Sequence, residues 1–556
     1  MRSIPLLILV SLAFASFAQG PVVESIEVRV INIDTIVTDK SGNPVTGLTR
    51  EDFELFEDGK KQPITNFYEI RGRGVEAAAP AADSQVQARP RQFFLFVDVS
   101  SIHPHTRDVL AGSIRKFAET GIEPGDQASI IAWNEQIHIL SPLTSNRDEL
   151  LAAVEKVKEL SSPNVFRNEI NNVQQYCTRM LDLAKAGTLP FQAAYLDCIN
   201  MASSEATLTV NRSRRLLNAL NLTLSIMGGG EAKKALIVAG AQLPRRPGVD
   251  TFGWANSLFA PFMRGFNRPQ EQFQESHPTM ADAIAEFARN ANAAGVTTYL
   301  VNAPGVADPM SVVNKELVAD EGADFRNAGN TSDAFEEIAR MTGGAATRTR
   351  FDFDTLFTTV TRDLGSYYSL GYRPAQRGRT PHRIEVRAKN RAYKVRSRQT
   401  WTDKTADDQM NDRVVANVFN PAPAGEFPVR IHAGKASGSG DTRTVPLEIV
   451  FPSSAITLLP TAGNLEGGFT VWLTVGDRRG ALSPVSRSPQ AIRLPAAEEK
   501  TFRAEPIVFT VDLTVRHGEN IISVAVVDHV SGNAAFARVE APWQDDGLVQ
   551  KSPGRD

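Results

Sequence analysis

The sequence predicts an α/β fold, in which a doubly wound parallel sheet carries helices on both faces and is flanked by smaller β domains. Between residues 92 and 365, continuous apolar runs alternate with amphipathic segments, as in buried strands alternating with helices. Outside that range apolar and polar residues alternate with a period of two, which is typical of half-buried strands. The 556 residues are enough for three or four domains of about 150 residues each.

The composition is that of an ordinary globular protein. Apolar residues make up 42% of the chain and charged residues 22%, which excludes wholesale disorder and collagen-like repeats. The 60 basic and 63 acidic side chains give a formal net charge of -3. Because nucleic acids and anionic membranes attract positively charged proteins, we expect neither as a partner.

Residues 1–18 have the form of a secretory signal peptide. Arg2 precedes an apolar run from Ile4 to Phe17, and small residues flank a cleavage point after Ala18. A membrane anchor is the alternative, although this run is too short to span a bilayer comfortably. No later segment reaches about 18 uninterrupted apolar residues, so we predict a mature chain without a transmembrane segment. We therefore expect a secreted, periplasmic or cell-envelope protein.

A small antiparallel β module is predicted at 22–70, because apolar residues alternate there around turn signals at 39–44 and 57–60. Residues 71–91 are rich in Ala, Gly, Pro and Arg without a period, and are predicted to be a linker.

The central domain is predicted at 92–365. Its expected strands lie at 93–100, 127–133, 136–140, 235–240 and 296–303. Its expected helices lie at 106–119, 146–160, 280–294, 334–341 and 352–364. Asn146 or Ser145 is the predicted N-cap of the second helix, since short polar side chains satisfy the first amides of a helix.

Two insertions interrupt this alternation. A helical insertion at about 165–228 is predicted to form a hairpin of two helices, 168–186 and 191–226, and a loop insertion at about 243–277 is predicted to be irregular. Cys177 and Cys198 fall on the facing helices, so a disulfide is expected in an oxidising compartment. Two buried free thiols are the alternative. A metal site has less support, because neither cysteine has a CxxC partner or a nearby histidine.

The C-terminal third is predicted to be β-rich. A β extension at 366–401 is followed by a polar linker at 402–412 and by strands alternating with turn clusters at 413–545. That last segment predicts an immunoglobulin-like antiparallel β-sandwich, and the polar residues 546–556 are predicted to be a frayed tail.

Three stretches resemble a known family. They are GNPVTGLTREDFELFEDGKKQPITNFYE at 42–69, FFLFVDVSS at 93–101, and DLGSYYSLGYRP with the two β runs that follow it up to residue 398. Together they are similar to the secreted von Willebrand factor A-related proteins of the Acidobacterial type, over about residues 24–401. The resemblance implies a von Willebrand A-like domain used for adhesion and protein recognition. It also implies a metal-ion-dependent adhesion site for magnesium at the carboxyl ends of the parallel strands.

The residues implied for that adhesion site are only partly present. Asp98 and Ser100 match the first two members of the Asp-x-Ser-x-Ser loop, but Ile102 occupies the third position and Ser101 comes one residue early. Ala239 stands where the family has an aspartate.

Thr144 and Ser145 can approach the site as replacements for the threonine of the second loop. With two of five ligands we expect a degenerate site that holds magnesium weakly or no cofactor at all. In the metal-free alternative Asp98 accepts amide hydrogen bonds from its loop and Ser100 caps the next helix.

His103 and His105 flank Pro104 beside this loop. With Asp98 they are a hypothetical transition-metal site, and an exposed loop is the alternative. Ser101, His103, His105 and Thr144 are the candidate binding residues.

We expect no enzyme, since the sequence has neither a GxSxG elbow nor an HExxH motif. The predicted function is recognition of a protein or cell-envelope partner. A structural scaffold of the envelope and a hydrolase with its site in the insertions are the alternatives. An exposed apolar patch that includes Trp254, Phe259, Phe262 and Phe266 would favour recognition over a scaffold.

Overall fold

The computed structural model describes most of the chain between residues 30 and 543. The described ranges are 30–72, 74–76, 90–102, 104–161, 165–228, 232–240, 243–262, 279–303, 321–347, 353–374, 380–402, 404–422, 425–438, 441–478, 480–516 and 518–543. The predicted signal peptide, most of the predicted linker at 71–91 and the predicted tail lie outside them. None of the helices within these ranges has the length and apolar character needed to cross a bilayer.

Strands and helices are numbered in chain order. The strands are β1 (Ile31–Thr38), β2 (Phe53–Glu57), β3 (Lys60–Gln62), β4 (Asn66–Arg71), β5 (Gly74–Glu76), β6 (Arg91–Asp98), β7 (Gln127–Trp133), β8 (Ile137–Thr144), β9 (Lys233–Gly240), β10 (Val296–Asn302), β11 (Ala345–Thr347), β12 (Ser366–Tyr372), β13 (His382–Ala388), β14 (Lys394–Ser397), β15 (Thr400–Trp401), β16 (Arg430–Ala433), β17 (Thr442–Pro452), β18 (Leu458–Thr461), β19 (Asn464–Gly476), β20 (Ser486–Pro495), β21 (Pro506–Arg516), β22 (Gly518–Asp528) and β23 (Ala534–Trp543). The helices are α1 (Pro104–Thr120), α2 (Arg147–Glu159), α3 (Val165–Lys185), α4 (Phe191–Ile226), α5 (Val249–Phe259), α6 (Ala281–Ala293), α7 (Glu321–Thr342), α8 (Phe353–Gly365), α9 (Ala406–Phe419) and α10 (Glu499–Ala504).

The central domain contains the predicted parallel sheet. Its strand order is β11-β10-β9-β6-β7-β8, and all neighbours run parallel except β7 and β8. The first strand, β6, therefore lies in the middle, with β7 on one side and β9 on the other. This arrangement confirms a mixed α/β domain built on a largely parallel sheet.

Alternate residues of β6 enter two separate apolar cores. Phe93, Leu95 and Val97 pack with α1, α2 and α8 on one face. Phe94 and Phe96 pack with α4, α6 and α7 on the other. Full burial of one such side chain contributes about 1.5–3 kcal/mol, so a strand with apolar residues on both faces is fixed from both sides.

The helical insertion has the expected hairpin. Helix α4 has the predicted bounds, and Cys177 of α3 is joined by a disulfide to Cys198 of α4. The loop insertion differs from the expected irregular loop, because it contains helix α5. Trp254 and Phe259 of this helix are buried in the core around the disulfide, so these two residues do not contribute to an exposed patch.

The N-terminal module and the β extension form one structural unit. Strand β1 pairs with β12, and β2 pairs with β13, in sheets of order β14-β1-β12-β4-β5 and β15-β13-β2-β3. Ile33, Leu55 and Leu370 are fully buried in the core that these strands enclose. The segments 22–70 and 366–401, predicted as separate parts, are therefore two halves of the same β domain.

The predicted linker at 402–412 is wrong from residue 406 onward, where helix α9 begins. Thr405 and Asp408 form a reciprocal capping box that starts this helix. Val418 and Phe419 belong to the core under the central sheet, whereas Met410 packs against Trp472 of β19. The segment is thus a buried bridge between the central domain and the C-terminal strands.

The C-terminal strands form two antiparallel sheets. One has the order β16-β17-β21, and the other contains β18, β19, β20, β22 and β23. Apolar residues of both sheets, among them Leu447 of β17 and Val524 of β22, share one core. The immunoglobulin-like character of this domain stays a prediction.

Candidate functional site

The carboxyl ends of β6, β9 and β10 form the edge at which a ligand site is expected. The chain leaves β6 towards β7 on one side, while β9 lies on the other, so the strand order reverses between β6 and β9. Open α/β sheets bind ligands in the crevice at such a reversal. Asp98 ends β6, Gly240 ends β9 and Asn302 ends β10.

Asp98 is buried, and its carboxylate is bound by its own loop. Only 1% of the surface of Asp98 is exposed to solvent. The Ser100 hydroxyl donates to Asp98 Oδ1 at 2.5 Å, and the Ser100 amide donates to the same oxygen at 3.2 Å. The Ser101 hydroxyl donates to the Asp98 carbonyl oxygen at 3.1 Å. Asp98 therefore accepts a hydrogen bond from a loop amide, as the metal-free alternative expects. The predicted capping of α1 by Ser100 stays a prediction.

Burial also changes the protonation of this acid. Loss of hydration raises the pKa of Asp98 to about 6, and the negative charge of Glu135 acts in the same direction. Hydrogen bonds from Ser100 and Ser101 oppose that rise in pKa. The raised pKa therefore means that this buried carboxyl becomes protonated as the pH falls through about 6.

Gly240 is the residue of β9 that faces Asp98. A β-carbon at this position would lie 3.2 Å from the Asp98 β-carbon and 3.7 Å from the Ser101 hydroxyl. Ala239, the position at which the resemblance implies an aspartate, pairs with Val97 and belongs to an apolar core. Gly240, the residue beside Asp98, therefore has no side chain to offer a metal.

Thr144 is not near Asp98. Strand β8 runs antiparallel to β7, so Ile137 lies beside Trp133 at the carboxyl edge and Thr144 lies beside Ala128 at the amino edge. Five residues of strand separate the two edges by about 16 Å. The Thr144 hydroxyl oxygen accepts a hydrogen bond from the Asn146 amide at 3.0 Å. Asn146 is the N-cap of α2, one of the two residues predicted for that position. The expectation that Thr144 or Ser145 completes the site is thus corrected.

The histidines are not brought into a described cluster. His105 is exposed in the first turn of α1, and His103 lies outside the described residues. Within the described ranges, no three His, Cys, Asp or Glu residues come close enough together to hold a metal ion. The transition-metal hypothesis consequently gains no group of three ligands from the described part of the chain.

Glu135 is a residue of this edge that the sequence did not single out. It lies in the turn between β7 and β8 with φ of 74°, a left-handed conformation that is unusual for a residue with a side chain. Its carboxylate is 2.7 Å from the guanidinium of Arg215 on α4. The only sequence signal was Asn134 beside Glu135 directly after a buried strand, which marks a turn without indicating a function.

A cleft beside this ion pair is lined by residues of both the central domain and the C-terminal domain. It encloses about 480 Å³. Trp133, Ile137 and Leu222 give it an apolar lining, and Glu135, Arg215 and Asp477 place charges along it. The carboxyl end of β7 therefore adjoins an open cleft, and Glu135 in its lining is the residue whose charge helps to raise the pKa of Asp98.

No family model and no curated protein matches the chain. Among solved structures, it has neighbours in a von Willebrand factor type A protein from Catenulispora acidiphila and an aerotolerance-related membrane protein from Bacteroides fragilis. For the first, the TM-score is 0.23 at 11% identity, covering 88% of this chain and 76% of that chain. For the second, the TM-score is 0.23 at 8% identity, covering 49% and 98%.

A third neighbour is the type V pili tip protein Mfa5 from Porphyromonas gingivalis. Its TM-score is 0.24 at 8% identity, covering 95% of this chain and 78% of the three-domain structure. A mussel byssus protein, proximal thread matrix protein 1, has a TM-score of 0.21 at 12% identity, and the chain spans 48% of its length. Similarities at these TM-scores do not establish a shared fold or function.

Proposed function

We propose that this chain is an exported, non-enzymatic binding protein related to the von Willebrand A proteins. It recognises a protein or cell-envelope partner through the carboxyl edge of its central sheet, without a metal ion. The observation that carries the proposal is the state of Asp98, which is buried, hydrogen-bonded by its own loop and faced by Gly240. Among the described residues, no three acidic, histidine or cysteine side chains come together there to hold a magnesium ion.

Recognition then depends on groups that solvent reaches at the same edge. Magnesium needs near-octahedral oxygen ligands and gives up its water reluctantly, so Asp98 and Ser100 alone bind it weakly. Glu135 and Arg215 lie on the rim with about a third and a half of their side chains exposed. The cleft beside them has the mixture of apolar lining and a few polar groups that is typical of binding sites.

Calorimetric titration of the mature chain with Mg²⁺ and Mn²⁺ tests the metal-free part of this proposal. We expect no saturable binding at submillimolar metal. The Gly240→Asp variant is the matched comparison, because it places a second carboxyl beside Asp98 and should bind either ion more tightly. Saturable micromolar binding by the wild-type chain would contradict the proposal.

Quantitative capture of envelope proteins by the immobilised full chain tests recognition at this edge. Arg215→Glu should reduce capture of a specific partner at least tenfold, because it reverses a charge on the cleft and breaks the pair with Glu135. Arg147→Glu is the control, since Arg147 is exposed at the amino edge of the sheet. A partner retained equally by both variants would place recognition elsewhere.

A structural scaffold is the second candidate. Burial of Trp254 and Phe259 favours it, because two of the four residues expected in an exposed apolar patch lie in a core instead. Phe262 is 37% exposed but is stacked on Phe191, and Phe266 lies outside the described residues. Absence of any partner sensitive to Arg215→Glu would favour the scaffold over recognition.

A further inference from the structure

Strand β21 has an open edge in the C-terminal domain. It is 11 residues long, from Pro506 to Arg516. In the part of the chain that the structure describes, it pairs with β17 and with no other strand. Its second side therefore presents a row of backbone groups along which another strand can pair.

The other edges of this domain are protected against such pairing. Strands β16 and β18 are 4 residues long each. Strand β20 contains Pro489 between Arg487 and Arg493, and β23 carries Arg538 and Glu540. Short strands, prolines and charges are the usual devices that prevent edge-to-edge association. By contrast, β21 has no proline after its first residue, and its only charged residue before Arg516 is Asp512.

The inward side of β21 is also incompletely covered. Leu447 and Ile449 of β17 are fully buried, yet Val511 and Phe509, their register partners on β21, are only half-buried in the same core. On the outward side, Val508 is 51% exposed. A further strand beside β21 would cover the half-buried residues in the way that β21 covers those of β17.

The sequence of β21 is complementary to itself in the antiparallel direction. With a two-fold axis at Val511, each Phe509 faces Leu513 of the other copy on the core side. On the solvent side, Thr510 then faces Asp512 and Val508 faces Thr514. Moving the axis to Asp512 would bring two like charges into direct opposition, which destabilises a strand pair. The register centred on Val511 therefore avoids the like-charge pair that an axis at Asp512 would create.

We propose that two copies of this chain associate through antiparallel pairing of their β21 strands about a two-fold axis at Val511. The two three-stranded sheets then become one continuous sheet across the dimer. Such an interface uses the same surface on both copies and closes on itself, as two-fold interfaces do. None of the residues that line the cleft beside Glu135 and Arg215 belongs to β21.

Site-specific disulfide formation in the full chain tests the register. In the Val511→Cys variant the two introduced thiols meet at the axis, so mild oxidation should give a dimer on a non-reducing gel. Val508→Cys is the matched control, because its two copies lie about 20 Å apart along the strands, beyond the Cα separation of about 4–7 Å that a disulfide spans. Cys177 and Cys198 are the only native cysteines and are already bonded to each other.

A second variant guards against damage to the core, since Val511 is half-buried. Val508→Cys/Thr514→Cys changes only outward residues and should cross-link because each pair of opposite positions is occupied by two thiols. In an antiparallel ladder the closer and wider pairs alternate, so this variant and Val511→Cys sample one pair of each kind. Light scattering should give a dimeric mass for the wild-type chain. A monomeric wild-type chain, or equal cross-linking of Val508→Cys and Val511→Cys, would overturn the proposal.

Discussion

Replacement of Asp98 by asparagine should change the pH dependence of stability. Asparagine is nearly the same size and can still accept the hydrogen bonds from the Ser100 amide and hydroxyl through its side-chain oxygen. It cannot ionise, however. The variant therefore removes the buried charge and leaves the loop contacts largely in place.

The magnitude follows from the altered acidity. Burial raises the pKa of Asp98 from an ordinary value of 3.8 to about 6, a difference that corresponds to about 3 kcal/mol. The folded chain binds this proton more tightly than the unfolded chain does, so the wild-type chain loses stability as the pH rises from about 4 through 6. The Asp98→Asn variant does not lose this contribution. Its stability relative to the wild type should rise by about 2.5 kcal/mol between pH 4 and pH 7.5, because part of the unfolded carboxyl is already ionised at pH 4.

Differential scanning calorimetry at both pH values measures this effect. For domains of about 150–250 residues, about 2.5 kcal/mol corresponds to a shift of roughly 5–10 °C in Tm. The transition that moves belongs to the central domain, and the remaining transitions are internal references. Asp108→Asn on the exposed surface of α1 is the matched control. An equal difference in Tm between variant and wild type at the two pH values would refute the reasoning.

Three further perturbations test the fold. Cys177→Ser/Cys198→Ser should lower the free energy of unfolding by about 3 kcal/mol, because it frees a loop with sequence separation 21; an unchanged Tm relative to the oxidised wild type would contradict this. Val418→Ala should cost about 2 kcal/mol and speed proteolysis near α9, since Val418 is fully buried there; the exposed Asp407→Ala is its control. Burial lowers the pKa of Lys234 to about 8, so the wild-type chain should gain up to about 3 kcal/mol relative to Lys234→Met as the pH rises from 7 to 10. A constant difference between those two Tm values would contradict it.

The central domain was predictable because its signals are local. The apolar run that ends at Asp98 and the helix at 191–226 are read from consecutive residues. Pairing between β1 and β12 joins Thr35 to Tyr368, and no periodicity within either segment encodes a contact across that distance. This is why two halves of one β domain were assigned separately. Helix α9 was not predicted because its first residues are polar. The Thr405 capping box was the only sequence feature there that indicates the start of a helix.

The site was predictable in position but not in detail. Asp98 at the end of a buried strand was enough to locate the edge. The direction of β8 decides whether Thr144 lies near Asp98, and a five-residue alternation such as 136–140 does not reveal direction. The one-residue difference between Ala239 and Gly240 likewise depends on strand register. Glu135 acquires its role only through Arg215, which lies on a helix of the insertion.

The retained Asp98 is consistent with a structural role in the loop, and Gly240 explains how that role is possible. Two carboxyl groups at these adjacent strand ends would repel each other unless a cation lay between them. With glycine at 240 a single acid remains, its Oδ1 holds the turn at Ser100, and protonation near pH 6 limits the cost of burying it. Glu135 and Arg215 are the charged pair on the rim, and under the proposed function the cleft beside them selects the partner.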